Sequence, residues 1–284
     1  MDRVHWRLKK FLTLKRWGYI NQNNSSILAS DSENTSYVRI LKKLNNDKKR
    51  VRNFRKEIDY KYILEHVDAF QGKKYLDICL ELENKNEISF IKNLLQMNDS
   101  FGSPRRVYYE PIGLVSPTSL RYLKVALEIS KMFDIKPRSI ISELGIGYGG
   151  QASILSKILD IKEYHAYDIP EACKLTLTFL EATNKKVPLI FKDIDSNNFE
   201  KPDLFISNYA FSELPKELQK KYLEKVICFI PNGYMTMNSG KENQTKRSFG
   251  KLRTEEILEF LPNSEIIEER PNTGVDNYLI VWRR

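Results

Sequence analysis

The stretch "ISELGIGYGG", Ile141–Gly150, decides how this chain is read. Within it Gly145, Gly147 and Gly150 spell G-x-G-x-x-G, with Gly149 as a further glycine. A glycine pattern alone is weak, and takes its meaning from what flanks it. Here the strand-like run "SIISEL" precedes it and the helical pattern "GGQASILSKIL" follows, which places a tight turn between a strand and a helix. An acid, Asp168, ends the next strand-like run, "EYHAYD", about 20 residues on, the spacing at which an acid meets ribose hydroxyls.

Toward the C-terminus the alternation continues. Strand patterns "VPLIF", "DLFISN" and "GYMTMN" are interleaved with helical "PEACKLTLTFLEAT", "PKELQKKYLEKVICF" and "TEEILEFL". Two last strand patterns, "SEIIEE" and "NYLIVWR", have only the turn-rich "RPNTGVD" between them and must pair antiparallel. Upstream, "SPTSLRYLKVALEISKMF" reads as a helix with Ser116 as N-cap and Pro117 at its first position. The pattern predicts an α/β fold: a doubly wound, mostly parallel seven-stranded sheet with an antiparallel C-terminal strand, over residues 101–284. A mainly helical N-terminal extension, residues 1–100, precedes it and serves as a lid.

That extension carries the charge. Residues 1–60 hold 15 Lys and Arg against 6 Asp and Glu, an excess equal to the whole-chain net charge of +9, so the remainder is balanced. Residues 1–18 set Val4, Leu8, Phe11 and Leu12 at helical spacing among Arg3, Arg7, Lys10 and Arg16, with Trp6 and Trp17 near the ends. This basic amphipathic pattern fits peripheral contact with an anionic membrane, or packing on the protein itself or on a second subunit in an oligomer. The polar run over residues 21–36 reads as a flexible link, and residues 37–100 as mostly helical.

With 284 residues the chain exceeds one minimal domain, and its 41% hydrophobic and 29% charged content is that of a soluble globular protein. No apolar run nears the roughly 20 residues that span a bilayer, and Lys9, Lys10, Lys15 and Arg16 break any secretory core. The 3 cysteines, Cys79, Cys173 and Cys228, lack metal or disulfide spacing and read as small buried apolar groups, which fits a reducing cytoplasm.

Two ligands fit the loop so far, a dinucleotide and S-adenosyl-L-methionine. Glu143 precedes the first glycine by two residues. A pyrophosphate would be repelled by that carboxylate, whereas an ammonium and a sulfonium would be attracted. Asp193, in "IFKDID" at the end of the third strand pattern, is placed to accept from an adenine amino group. With the antiparallel closing pair, these features resemble the class I S-adenosylmethionine-dependent methyltransferases over about residues 115–284. The segments "VSPTSLRYL", "ELGIGYGGQASIL", "YDIPEACKL", "SNYAFSEL" and "NYLIVWRR", with "YKYILEHVD" and "NDSFGSP" upstream, are similar to bacterial sugar O-methyltransferases of surface-polysaccharide gene clusters.

The resemblance implies a cofactor site of Glu143, Gly145, Gly147, Gly149, Asp168, Ile169, Asp193, Ile194 and Asn208, with Ser116 and Arg121 from the preceding helix and Arg121 meeting the cofactor carboxylate. Moving a methyl group to a sugar hydroxyl needs a base near the acceptor. Glu213 in "SNYAFSEL" is the first choice, and a helix-terminal charge is its plain alternative. His66 in the lid and His165, which reads more readily as a core histidine, are the others. Tyr209, Ser212 and Lys241, the last in the polar loop "SGKENQTKRSFGK", are candidates for the acceptor side. Asp193, Asp195 and Glu213 offer oxygens to a divalent metal, without diagnostic spacing.

The implied acceptor is a sugar nucleotide or a lipid-linked or polymeric glycan, met in the cytoplasm or at the inner membrane face. A nucleic-acid methyltransferase is the enzyme alternative suggested by the basic N-terminus. Against it, "SNYAF" stands where (N/D)-P-P-(Y/F) serves exocyclic amines, and no cysteine is there for pyrimidine carbon. A non-catalytic scaffold that kept the cofactor fold is the alternative from another class, and a dehydrogenase the third.

Overall fold

Alternation of apolar side chains along short runs builds the sheet, and helices cover both of its faces. The structure, a computed structural model, describes residues 35–83, 88–183, 186–195, 200–240, 250–274 and 277–284. The basic pattern over 1–18, the proposed link up to residue 34, and Lys241 lie outside the described residues.

The helices are α1 (Thr35–Asn45), α2 (Ala69–Leu82), α3 (Ile88–Asn98), α4 (Pro117–Met132), α5 (Gly150–Ile158), α6 (Pro170–Thr183), α7 (Lys216–Lys225) and α8 (Thr254–Phe260), with single turns elsewhere. Strands β1 (Val107–Tyr109) and β2 (Gly113–Val115) form a small antiparallel hairpin. At three residues each they are too short to show a period, and the sequence pattern does not announce them.

The main sheet comprises β3 (Ser139–Leu144), β4 (Ile161–Tyr167), β5 (Leu189–Phe191), β6 (Leu204–Asn208), β7 (Asn232–Met237), β8 (Ser264–Glu268) and β9 (Tyr278–Arg283). Its order is β5-β4-β3-β6-β7-β9-β8. The strands from β3 to β7 pair in parallel, and β9 runs antiparallel to both β7 and β8. This is the doubly wound sheet with an antiparallel C-terminal strand that the alternation predicts. Strand order reverses at β3, whose neighbours are β4 and β6, and the crevice beyond its carboxyl end is where such sheets bind ligands.

Period-two alternation separates the faces. Ile141, Tyr164, Ala166, Leu204, Ile206 and Tyr234 enter one core, whereas Leu144, Tyr167, Phe205, Met235 and Trp282 enter the other. The first core does not stop near residue 100. Tyr37, Leu41, Phe54, Tyr60, Leu76 and Leu95 of the extension belong to the same apolar cluster as Tyr148, Phe179 and Val281. Phe54 meets Tyr148 edge-on at 5.2 Å between ring centroids, and Tyr148 meets Phe179 at 4.8 Å.

A buried cation reinforces this joint. Arg55 has a fully buried side chain. Its Nε and Nη2 donate to Glu65 at 2.5 and 3.2 Å, and Nη1 donates to Asp99 at 3.2 Å and to the Asn98 carbonyl at 3.1 Å. Nη2 also reaches the hydroxyls of Ser116 and Ser119 at 3.1 and 3.3 Å, and the guanidinium lies 5.1 Å from the Tyr148 ring centroid. Removing one partner from a buried ionic network leaves the other charges stranded, at roughly 3–5 kcal/mol. Arg55→Ala is therefore expected to lower unfolding free energy by about that amount in chemical denaturation. A loss no larger than a surface substitution produces would show that the network does not hold the extension in place.

Candidate ligand site at the glycine loop

The turn after β3 needs glycine for two reasons. Gly145, Gly147 and Gly149 have φ of 81°, 60° and 86°, in the left-handed region that L side chains rarely adopt. A Cβ on Gly145 would also lie 2.2 Å from the Ala210 Cβ, and one on Gly149 2.8 Å from Thr176 Cγ2. The backbone so released passes close to its neighbours and is tied to them. Gly145 N–H donates to the Tyr167 carbonyl at 2.8 Å, Gly147 N–H donates to Asp168 Oδ2 at 2.8 Å, and the Thr176 hydroxyl donates to the Gly147 carbonyl at 2.9 Å. Asp168 also accepts from Ile169 N–H at 2.8 Å, so its carboxylate is fixed at the crevice and Ile169 stands half-buried beside it.

A buried acid and a buried guanidinium flank this turn. Glu143 is 2% exposed and accepts the Tyr164 hydroxyl at 2.7 Å, and no described cation is paired with it. Burial raises its pKa to about 8, with the Tyr164 hydrogen bond opposing and nearby Asp168 adding to the rise. Arg121, on the second turn of α4, is 8% exposed, and no described carboxylate is paired with it. Its guanidinium lies 5.4 Å from the Tyr122 ring centroid and 6.0 Å from that of Tyr209, and its buried Nε has no hydrogen-bond partner. Tyr122 in turn abuts the loop, since a Cβ on Gly150 would lie 2.6 Å from its Cε2.

The end of β6 forms the opposite wall. Register pairs Leu144 with Ser207, which brings Asn208 alongside Gly145, and the buried Nδ2 of Asn208 has no partner. Tyr209 follows with φ of 69°, a strained conformation for a bulky residue. Its N–H donates to the Thr236 carbonyl at 2.9 Å and its hydroxyl donates to buried Glu269. The other oxygen of Glu269 accepts from Thr273 N–H and hydroxyl at 3.1 and 2.7 Å and from Asn277 Nδ2 at 3.1 Å. Ser212, expected on the acceptor side, spends its hydroxyl on the Tyr209 carbonyl at 2.7 Å and on Asn238 Oδ1 at 2.8 Å, clamping this turn to the end of β7. Glu213 is half-buried, and its Oε1 accepts from Asn238 Nδ2 at 3.4 Å.

Several expected residues are drawn elsewhere. Ser116 occupies the N-cap position of α4 without capping it: its hydroxyl serves Arg55, and its N–H donates to Asp99 at 2.6 Å. His165 alternates with Tyr164 and Ala166, the side chains of β4 that share the face of Glu143. It pairs in register with Ser142, on the face opposite Glu143, and its Nε2 meets Glu163 at 2.8 Å. Strand alternation thus removes it from the role of base, and burial lowers its pKa against the Glu163 hydrogen bond.

His66 is exposed, its Nδ1 3.1 Å from the Ile63 carbonyl. Its neighbour Leu64 does reach the loop, its Cδ1 lying 3.3 Å from where a Gly147 Cβ would be. Asp193 is exposed and accepts Asp195 N–H at 2.9 Å, and Ile194 packs on the second core. Asp195, considered above for a metal, is ion-paired with Lys221 and Lys225 at 2.6 and 2.8 Å. Among the described residues no cluster of metal-ligating side chains occurs.

Sequence reasoning missed Glu269. Glu269 sits at the edge of a turn between strands, with nothing in its neighbours to mark it.

No family model matches the chain, and no curated protein matches it. Among solved structures, it is similar to a SAM-dependent methyltransferase from Aquifex aeolicus, with 15% identity over 69% of this chain and 97% of that one and a TM-score of 0.43. The protein 1320 of Thermoplasma acidophilum matches at 18% identity over 68% of this chain and 97% of its own, also with a TM-score of 0.43. CalS10, a SAM-bound amino pentose methyltransferase from Micromonospora echinaspora, matches at 11% identity over 58% of this chain and 90% of its own, TM-score 0.43. Likeness at this level carries no argument about residues or substrate.

Glu143 has a measurable signature of its own. A carboxyl whose pKa is 4.5 unfolded and about 8 folded contributes stability that is fully present below pH 4.5 and lost as pH rises to 8. Glu143→Gln is expected to melt several degrees above the parent at pH 8 and close to it at pH 5, each kcal/mol being about 2–4 °C in a domain this large. Equal melting points at pH 8 would mean that Glu143 has a compensating cation.

Proposed function

We propose that this chain is an S-adenosylmethionine-dependent methyltransferase that acts on a sugar hydroxyl. The observation that carries the cofactor assignment is the buried acid and the buried guanidinium at the glycine loop, Glu143 and Arg121, neither met by an oppositely charged group among the described residues. An isolated buried charge is costly unless a partner arrives. A ligand with an ammonium, a sulfonium and a carboxylate supplies partners of both signs. A pyrophosphate does not, and would be repelled by Glu143.

The remaining groups fit that ligand. The left-handed glycines leave room where a Cβ would intrude, and the Asp168 carboxylate, fixed by two backbone N–H groups, is the acid placed to meet ribose hydroxyls. Asn208 Nδ2 is an unmet donor at the same edge. When bound, S-adenosylmethionine supplies a methyl group activated for in-line displacement. The chain's part is to orient the acceptor and take its proton. Glu213 serves as that base, at the carboxyl end of β6 beside Asn238. Tyr209, anchored by Glu269 and stacked near Arg121, forms the wall between cofactor and acceptor. The sugar assignment rests on the sequence resemblance, above all "SNYAFSEL" and "YDIPEACKL". The acceptor is then a sugar nucleotide or a lipid-linked or polymeric glycan, met in the cytoplasm or at the inner membrane face. Among the described residues no helix is long and apolar enough to cross one.

Calorimetric titration tests the cofactor directly. S-adenosylhomocysteine is expected to bind and NAD not, and affinity should fall about tenfold per pH unit below 8, because Glu143 must lose its proton to meet the ammonium. Binding of NAD alone would overturn the reading. Glu213→Gln is expected to keep S-adenosylhomocysteine affinity and lower turnover on activated sugars by about two orders of magnitude or more. Near-parental turnover would take the base role from Glu213.

A further inference from the structure

The turn that follows β8 reaches back to the ligand crevice. Glu269 is 6% exposed, and one of its oxygens accepts the Tyr209 hydroxyl. The other accepts from Thr273 N–H and hydroxyl and from Asn277 Nδ2, and Asn277 Nδ2 also donates to the Thr273 hydroxyl at 2.7 Å. All of these donors are neutral, so the cluster fixes the direction of the carboxylate without a counter-charge. Arg270, next in the chain, lies 3.1 Å from Glu81 near the end of α2, which ties the same turn to the extension.

Tyr209 passes this constraint to Arg121. Its N–H is held by the Thr236 carbonyl at 2.9 Å, so β7 grips one end of the residue and Glu269 the other. Between those grips the backbone keeps φ of 69°, which a bulky residue holds only where its surroundings over-determine it. The Tyr209 ring centroid lies 6.0 Å from the Arg121 guanidinium, and that of Tyr122 lies 5.4 Å from it. With its buried Nε unmet and no described carboxylate paired with it, Arg121 takes its bearing from these two rings. Tyr122 is set by its place on α4 and by its contact with Gly150, whereas Tyr209 depends on Glu269.

Resting on the cofactor assignment above, we infer that Glu269 is a positioning residue for the amino-acid end of the cofactor. It holds the Tyr209 ring against Arg121, and Arg121 so held meets the cofactor carboxylate. The turn between β8 and β9 thereby belongs to the cofactor site, with Glu269 acting through two other side chains. Loss of the Glu269 carboxylate releases the phenol, lets the strained turn after β6 relax and leaves Arg121 with one ring.

The test is calorimetry of the full chain with S-adenosylhomocysteine and with 5′-methylthioadenosine, which lacks the ammonium and the carboxylate. Glu269→Ala and Tyr209→Phe each remove the grip, and the second keeps the ring and its packing. Each is expected to bind S-adenosylhomocysteine about 5–30-fold more weakly and 5′-methylthioadenosine as the parent does. Glu269→Gln is expected to restore S-adenosylhomocysteine affinity to within about threefold, because its carbonyl can accept from Thr273 and Asn277 while its amide meets the Tyr209 oxygen. In an Arg121→Met background, Glu269→Ala should have no further effect on S-adenosylhomocysteine affinity. Parental affinity for S-adenosylhomocysteine in both Glu269→Ala and Tyr209→Phe would overturn the role of Glu269 and leave the cofactor assignment intact. So would an equal loss for the two ligands, or an undiminished loss in the Arg121→Met background. Failure of the parent itself to bind S-adenosylhomocysteine would overturn both.

Discussion

A guanidinium withdrawn from water must have its donors met, and at Arg55 they are met by groups from three other stretches of chain. Glu65 lies on the extension, Asn98 and Asp99 at the end of α3, and Ser116 and Ser119 at the start of α4. The charge then sits against Tyr148, inside the glycine loop. This places a constraint on the whole molecule, because none of these segments can move without stranding a buried charge. The extension is therefore tied to the start of α4, the helix that carries Arg121.

The contrast between Arg55 and Arg121 separates structure from function. Both guanidinium groups are buried, and both lie beside tyrosine rings. Arg55 has two carboxylates and a full set of acceptors, whereas Arg121 has aromatic neighbours and an unmet Nε. Glu143 shows the same asymmetry with the sign reversed. Its one hydrogen bond comes from a neutral tyrosine, and burial is what dominates its pKa. Stability alone would select against both groups, and a ligand that carries both complementary charges gives a physical reason for keeping them.

Much of this was legible in the sequence, and the reasons differ by element. The sheet follows from alternation, and the glycine loop from a pattern whose φ values and close contacts demand the residue type. Glu143 and Asp168 stand out because they are acids at strand ends next to that loop. Arg55 was not legible. It sits in "KKRVRNFRKE" among Arg50 and Arg52, which are exposed, and only the fold distinguishes the buried member of the run. His165 is the core histidine that its place on a strand suggests, since a residue adjacent to Ala166 faces away from Ala166's neighbour Glu143. Ser116 shows a different limit: Ser-Pro is a sound helix start, but tertiary contacts with Arg55 and Asp99 took the groups that local geometry would have used.

The acceptor side raises the question of why Tyr209 tolerates a positive φ. A bulky residue holds such a conformation only when its surroundings over-determine it. Here its N–H is fixed to β7, its carbonyl is held by Ser212, and its hydroxyl is bound by Glu269. Glu269 is in turn fixed by Thr273 and Asn277, in the loop between the antiparallel strands β8 and β9. The closing strand pair thus does more than finish the sheet. It delivers the carboxylate that fixes the aromatic wall across from Arg121, so the C-terminal hairpin and the N-terminal extension meet the same crevice from opposite sides. Leu64 of the extension abuts Gly147, while Glu269 of the closing hairpin fixes Tyr209 after β6.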